Sequence, residues 1–344
     1  MSKKKRNDKD IQEISVHSTP QLDLFSLLDS RDKHYSNSID IYDALPKYSL
    51  EKRRRFTDIA QAAAKERECR IGDQIIRVRV RPALIETEPG KPELVFPGER
   101  EEIIEDALRK LAVNGGIAMI DGKVGVLFTF YQLRNELRKN KHEFKLSEIK
   151  EAILVCRGAQ LETISDNEDT VISSSFFPMV GLTTRKDIQL RKGDTRCYVQ
   201  FNPLVTDSIK KQTFRLYDYR TSMAIKSPLA RYIYKRMSHH WSQASSSNPY
   251  TPRLVSFLKG SPRGLSDLMK TNVRAMKTAL ETLKEHNVIE SYDDGDRIKD
   301  GKKLVDIVYR IYPTKEFVKV VKKANYMNGI VTAKMALTNS GKSE

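Results

Sequence analysis

Cysteine is scarce in this chain: Cys69, Cys156 and Cys197 are spread over 344 residues, odd in number and without CxxC or Cys/His ligand spacing. That excludes a disulfide framework and a zinc-type site, and the three read as structural thiols. There is no run of eighteen apolar residues, so no segment reads as a membrane span. The basic start "MSKKKR" has no apolar stretch behind it, so no secretory signal is read there and a cytoplasmic protein is expected. Histidine is rare as well, six in all, and the pair His239-His240 sits at the end of a predicted helix. Neighbours on a helix point about 100° apart, so the two do not share a metal.

Catalytic patterns are equally thin. The chain has no nucleophile elbow, no HExxH and no acidic cluster of the kind that holds metals in nucleases or polymerases. Its nearest approach to a phosphate loop runs from Gly295 to Gly301-Lys302, with five residues between the glycines instead of four, and Lys303 stands where Ser or Thr would ligand magnesium. The expectation is a protein that is not an enzyme, with no cofactor and no metal.

Positive charge is abundant. Lys plus Arg number 61 against 45 Asp plus Glu, a net charge of +16, with a pI near 9.5. A surplus of this size favours a polyanionic partner, because each cation that neutralises a phosphate releases a condensed counterion. Double-stranded DNA is the leading partner class. A solvated basic surface is the bland alternative, and an anionic membrane is disfavoured by the lack of a long basic helix with a strongly apolar face.

Along the chain, residues 1–48 are charged or small and polar and read as a disordered tail. Residues 49–98 lead into the first domain, with a helix predicted from near Leu50 in "KYSLEKRRRFTDIAQAAAKERE" and a strand in the alternating "DQIIRVRVRPALIE". A boundary is placed near Pro97. Over residues 99–222 a helix carrying Ile103, Ile104, Ala107, Leu108 and Leu111 stops at Asn114-Gly115-Gly116. The strand "VGVLFTF", a helix capped by Thr129, a second helix over Leu146 to Cys156 and β-rich segments follow. That order is the order of a winged helix-turn-helix. It recurs over residues 223–325: a helix started by Ser227-Pro228, a short one begun at Thr251-Pro252 and ended by Gly260, a long one from Leu265 to His286, and two strands with Val305, Ile307, Tyr309 and Ile311 alternating. Residues 326–344 read as a flexible tail. The fold class expected is α+β, two tandem winged helix-turn-helix domains behind a disordered N-terminal tail.

In the long helix Met269, Val273, Met276, Leu280 and Leu283 form one stripe, and Lys270, Arg274 and Lys277 keep the same spacing one residue further round. Three cations therefore share an exposed face in the N-terminal half, the half that enters a major groove in a recognition helix. Arg263, Thr271 and Thr278 complete the contact set. Arg274 is the candidate for a bidentate contact to guanine, with Lys270 and Lys277 serving phosphates. Arg297, Lys299, Lys302 and Lys303 suit a wing, although Asp293, Asp294, Asp296 and Asp300 dilute their charge. An ordinary solvated helix face is the competing reading.

The tandem order, with "PGEREEIIEDALRKLA", "LFTFYQLRNEL" and "RTSMAIKSPLARYIYKRMSHHW", resembles the TrfA-type plasmid replication initiators, within the wider class of iteron-binding initiators, over roughly Ile75 to Tyr312. The resemblance implies binding to directly repeated origin sequences, opening of an AT-rich segment, and recruitment of the host replicative helicase and host initiator. It also implies a switch between an inactive homodimer and an active monomer, with the interface sought at Val171 to Phe201. In the tail, Gln21-Leu22-Asp23-Leu24-Phe25 is similar to the QL(S/D)LF pentapeptide that docks on the bacterial sliding clamp. Leu24 and Phe25 would fill an apolar pocket and Gln21 would hydrogen-bond at its rim. Three buried apolar side chains at about 1.5–3 kcal/mol each, less the ordering of a flexible tail, leave roughly micromolar affinity or weaker. Packing of this run on its own domain is the alternative. The rival function is a winged-helix transcriptional repressor, which would bind a promoter palindrome as a stable dimer.

Overall fold

The Val/Arg alternation that marks a strand produces one, and it sits inside a sheet. In the computed structural model, which describes residues 16–17, 22, 34–50, 55–57, 62–71, 74–165, 171–183, 196–211 and 213–340, the chain opens with β1 (Val16–His17), β2 (Tyr35–Ile39), α1 (Asp40–Ala44) and β3 (Arg55–Phe56). Then come β4 (Lys65–Ile71), β5 (Gln74–Arg81), β6 (Ala83–Glu88) and β7 (Lys91–Val95). Val78 and Val80 are buried, while Arg79 and Arg81 on the other face of β5 meet Glu66 and Glu162 of the adjacent strands at 2.8 and 2.9 Å. Two expectations change here. The helix predicted from near Leu50 is not found at Arg55–Phe56 or from Lys65 onward, which are strands; residues 51–54 and 58–61 lie outside the described residues. The single predicted strand divides at Pro82, which has no N–H for the ladder, and β6 turns back through Gly90 at φ 77° to pair with β7.

The helix expected from Glu99 is α2 (Glu99–Leu111). It leads through a π-type turn, with Gly115 at φ 100°, into β8 (Ile117–Ile120), β9 (Lys123–Phe128), α3 (Phe130–Lys139) and α4 (Leu146–Gly158). Thr129 caps α3 as predicted: its hydroxyl accepts the Gln132 N–H at 3.1 Å, and Gln132 Oε1 accepts the Thr129 N–H at 2.8 Å. Next are β10 (Gln160–Ser165), β11 (Val171–Ser175), β12 (Val180–Gly181), β13 (Cys197–Gln200), α5 (Pro203–Lys211), β14 (Phe214–Asp218) and α6 (Tyr219–Ala224). The larger sheets run β1-β8-β9-β13-β12 and β11-β10-β5-β4.

Part of the expected disordered tail is folded. β2 pairs with β14, and Ile39, Tyr42, Leu45 and Tyr48 are buried, so this segment is part of the folded unit and contributes these four side chains to its core. Composition concealed this because Ser36, Asn37 and Ser38 are buried polar residues. Ser38 makes the burial tolerable by donating to the Arg215 carbonyl at 3.1 Å, with His239 Nδ1 at 2.8 Å. Val16 and His17 pair with Ile120 and Met119.

The second unit is α7 (Pro228–His240), α8 (Leu254–Lys259), α9 (Met269–Glu285), β15 (Ile289–Asp300) and β16 (Lys303–Pro313). Ser227 caps α7 as predicted, whereas Thr251–Arg253 precede α8 and Arg253 bridges to Val308 of β16. The chain continues into α10 (Lys315–Ser340), a helix that runs on through the region expected to be a flexible tail.

α2 joins the two units, and it does so with charge. Arg231 of α7 is fully buried, with Nη2 3.1 Å from Glu99 and Nη1 3.2 Å from Glu102. Lys235, one turn on, reaches Glu102 at 3.0 Å and Asp106 at 2.5 Å. Arg109 holds Asp43 and Asp106 at 2.8 Å each, and Lys47 lies 3.6 Å from Asp43. Burial alone would push the Asp43 and Glu102 carboxyls up. Arg109 and Lys47 beside Asp43, and Lys235 and Arg231 beside Glu102, outweigh it and hold both below their ordinary values of 3.8 and 4.5. A carboxyl depressed in this way stabilises the fold while ionised, and that contribution is lost as pH falls through the ordinary range. Glu105, which burial raises, acts in the opposite sense: its contribution favours the fold at low pH and is lost as pH rises. With two depressed carboxyls against one raised, the urea midpoint is expected to fall as pH drops below about 4.5. A midpoint at about pH 3.5 equal to that at neutral pH would show that these ion pairs contribute nothing.

Candidate nucleic-acid interface

α9 forms because an apolar stripe at helical spacing can be buried while the rest of the helix stays in water. Met276, Leu280 and Leu283 are buried, and Met269 and Val273 pack against the same core. The helix is 17 residues long, about 25 Å at 1.5 Å per residue. Lys270, Thr271, Arg274 and Thr278 are exposed on its outer face. Among the described residues, Lys270 and Arg274 have no ion pair or side-chain hydrogen bond, so their charge is available to a ligand. Glu281 and Glu285 lie toward the C-terminal end, and Glu281 accepts a hydrogen bond from the Tyr292 hydroxyl at 2.8 Å. The positive surface therefore belongs to the N-terminal half.

Lys277 is engaged within the protein: its Nζ is 3.2 Å from Asp294, whose carboxylate also holds Arg297 at 2.6 Å. Burial tends to raise the Asp294 carboxyl, but hydrogen bonds from Arg297 and Lys277 leave it below the ordinary value. One acid thus ties α9 to the hairpin. Arg310 meets Asp293 at 3.8 Å and Asp296 at 3.4 Å. Asp293, Asp294 and Asp296 thus spend their charge on partners midway along the hairpin. At its tip Asp300 pairs with Lys303 across Gly301, which has φ 58°, and Lys299, Lys302 and Lys303 are exposed. Gly295, the other glycine of the imperfect phosphate loop, lies within β15 itself, next to the bulge between Asp294 and Arg297.

Arg263 has a different role from the one its position suggests. Its Nη1 donates to the Gly264 carbonyl at 3.0 Å and to Asn272 Oδ1 at 3.1 Å, and burial pushes its pKa down. Asn272, itself buried, accepts the Ser266 N–H at 2.9 Å and donates to the Ser266 carbonyl at 2.7 Å. Arg263 closes the turn that sets the start of α9.

Between α9 and the hairpin runs a groove of about 1050 Å³ that brings Lys270, Arg274, Lys277 and Thr278 together with Arg297 and Lys303. Leu268, 68% exposed at the mouth of α9, was missed from the sequence; its only signal was an apolar residue out of register with the buried stripe. In the first unit α3 exposes Tyr131, Arg134 and Arg138 along one face, and Tyr131 is 80% exposed. Among the described residues no group of His, Cys, Asp or Glu is placed to hold a metal ion, and no helix is long and apolar enough to cross a membrane.

The pentapeptide in the N-terminal segment fares differently from the helix. Leu22 is 1% exposed and belongs to the protein's own hydrophobic core, which corrects the picture of a run held freely in solvent. Gln21, Asp23, Leu24 and Phe25 lie outside the described residues.

No protein-family model matches this chain, and no curated protein matches it. Among solved structures, selenomethionine-substituted domains 2 and 3 of RctB align over 80% of this chain and 96% of that one, at 11% identity and a TM-score of 0.49. A second structure of RctB domains 2–3 covers 82% and 99%, at 10% identity and 0.47. The Pi initiator protein in complex with iteron DNA covers 63% and 91%, at 11% identity and 0.42. Likeness below a TM-score of 0.5 does not fix a common fold, and the function is argued from the side chains.

Proposed function

We propose that this chain is a sequence-specific DNA-binding replication initiator built on two winged-helix units. The second unit places α9 in a major groove of directly repeated origin sites, and the tip of β15–β16 lies on a neighbouring phosphate or minor groove. The observation that carries this reading is the pair of exposed cations Lys270 and Arg274 on the N-terminal half of α9, without ion pairs among the described residues, beside Lys299, Lys302 and Lys303. Arg274 reads a base, Lys270 and Lys277 serve phosphates, and Thr271 and Thr278 flank them. The first unit contacts adjacent DNA or another protomer. Binding of several protomers deforms an AT-rich segment, where flexible steps cost least to distort, and no chemistry, cofactor or metal is required of the protein. Recruitment of the host helicase and host initiator follows from the sequence resemblance alone, as does a dimer-to-monomer switch.

Docking of the Gln21 to Phe25 motif on the sliding clamp belongs to the same reading, with one added condition. Leu22 must leave the core, which costs about 1.5–3 kcal/mol and weakens the apparent affinity roughly ten-fold or more.

Footprinting on DNA from the gene's own surroundings, at two salt concentrations, tests the proposal. Protection of several direct repeats is expected, with weaker binding at the higher salt. One protected palindrome over a promoter would instead identify a repressor. If repeats are protected, Leu24→Ala and Phe25→Ala are expected to abolish clamp binding while leaving the footprint unchanged.

A further inference from the structure

The second unit meets the β11-β10-β5-β4 sheet at a pocket whose lining none of the DNA-facing residues shares. It encloses about 390 Å³ between Cys69 and Arg70 of β4, Tyr232 and Arg236 of α7, the loop from Pro249 to Arg253, Ser256 and Phe257 of α8, and Gly260 just after it. Three arginines line it and no carboxylate does. The Nε of Arg236 is buried without a hydrogen-bond partner, and among the described residues Arg253 makes no side-chain hydrogen bond or ion pair. A buried donor of this kind is open to an acceptor from outside the chain, a water or a ligand oxygen. Guanidinium groups suit oxyanions, which they grip through two parallel N–H bonds.

The walls between the arginines are aromatic. Tyr232 and Phe257 stand edge to face at 5.4 Å, the Tyr232 hydroxyl being satisfied by the Gly260 carbonyl at 2.7 Å, and Tyr250 also lines the pocket. Thr251 and Ser256 add hydroxyls. Burial pushes the Cys69 thiol up to about 11 against the pull of Arg236, so it stays protonated and serves as wall, with no nucleophilic role. A concavity of this size takes a small molecule, whereas a duplex presents its phosphates along a convex ridge.

We propose that this pocket binds a nucleoside phosphate, its phosphates held by Arg236 and Arg253 and its ring against the aromatic lining of Tyr232, Tyr250 and Phe257. Because the pocket is bounded by β4 on one side and by α7 and α8 on the other, an occupant touches both units at once. The site is independent of the DNA-reading proposal and stands or falls separately.

Calorimetric titration of the full chain with ADP, GDP, pyrophosphate and adenosine tests it. Saturable binding of ADP or GDP is expected, at least ten-fold tighter than pyrophosphate or adenosine. Arg253→Ala, an exposed position, and Arg236→Ala are each expected to weaken it ten-fold or more, while Arg274→Ala on α9 leaves it within two-fold. No saturable heat with either nucleotide would overturn the proposal. So would equal affinity for pyrophosphate, which would make the pocket a plain oxyanion site. Loss of binding in Arg274→Ala with retention in Arg253→Ala would place the nucleotide on the DNA face and overturn it too.

Discussion

Arg231→Ala is expected to lower the stability of the protein by about 3–5 kcal/mol, among the largest effects of any single substitution. The guanidinium is fully buried, holds Glu102 and Glu99, and donates twice to the Ile225 carbonyl at 2.9 and 3.2 Å. Its removal leaves Glu102 buried with Lys235 as the remaining cation and strands a backbone acceptor. Lys235→Ala is expected to cost a similar amount, since Asp106 would keep only Arg109. The two effects should not add, because both act on one network. Exchanging Glu102, Arg231 and Lys235 together for apolar residues of like volume is expected to cost less than the sum of the two single changes, because Glu102 is then no longer left buried without its cations, while Asp106 still keeps Arg109. Urea unfolding decides the matter. A loss below about 1 kcal/mol for Arg231→Ala would mean that the network is solvated in solution and does not join α2 to α7.

Arg274→Ala is expected to weaken binding to a cognate site by about 1–3 kcal/mol, roughly five- to 150-fold, while random DNA loses much less. The side chain is exposed and, among the described residues, has no ion pair or side-chain hydrogen bond, so its effect is expected to fall on the complex. If Arg274 meets only a phosphate, cognate and random DNA would weaken alike and the salt slope would drop by about one. Equal losses would remove Arg274 as a base reader. Lys277→Ala should do less, because Lys277 already shares Asp294 with Arg297. Arg263→Ala should register in stability more than in salt dependence, since its guanidinium lies in the turn before α9.

The features legible in the sequence are those set by neighbours a few residues away. The stripe Met276, Leu280, Leu283 is where periodicity put it, with Ile307, Tyr309 and Ile311 alternating inward opposite. Thr129 and Ser227 cap α3 and α7 because a side-chain oxygen satisfies an N–H three residues on. The exposed face with Lys270 and Arg274 follows from the same 100° arithmetic. The segment 65–71 misled for the opposite reason: "KERECRI" has no alternation of its own, and its strand exists because β5 pairs with every residue of it.

By itself, then, the sequence determined α9, its cationic half, the hairpin beside it and the caps that start two of the helices, because helical and strand periods and capping bonds act over one or two turns. Only the tertiary structure decided that charged α2 is a buried hub, that Tyr35–Ile39 and Leu22 enter the core, that Arg263 closes a turn, and that Lys277 is held by Asp294. Each depends on a partner brought close by folding, as Arg231 and Glu102 are, 129 positions apart in the chain. A charge looks solvated in a sequence until the opposite charge that allows its burial can be seen beside it.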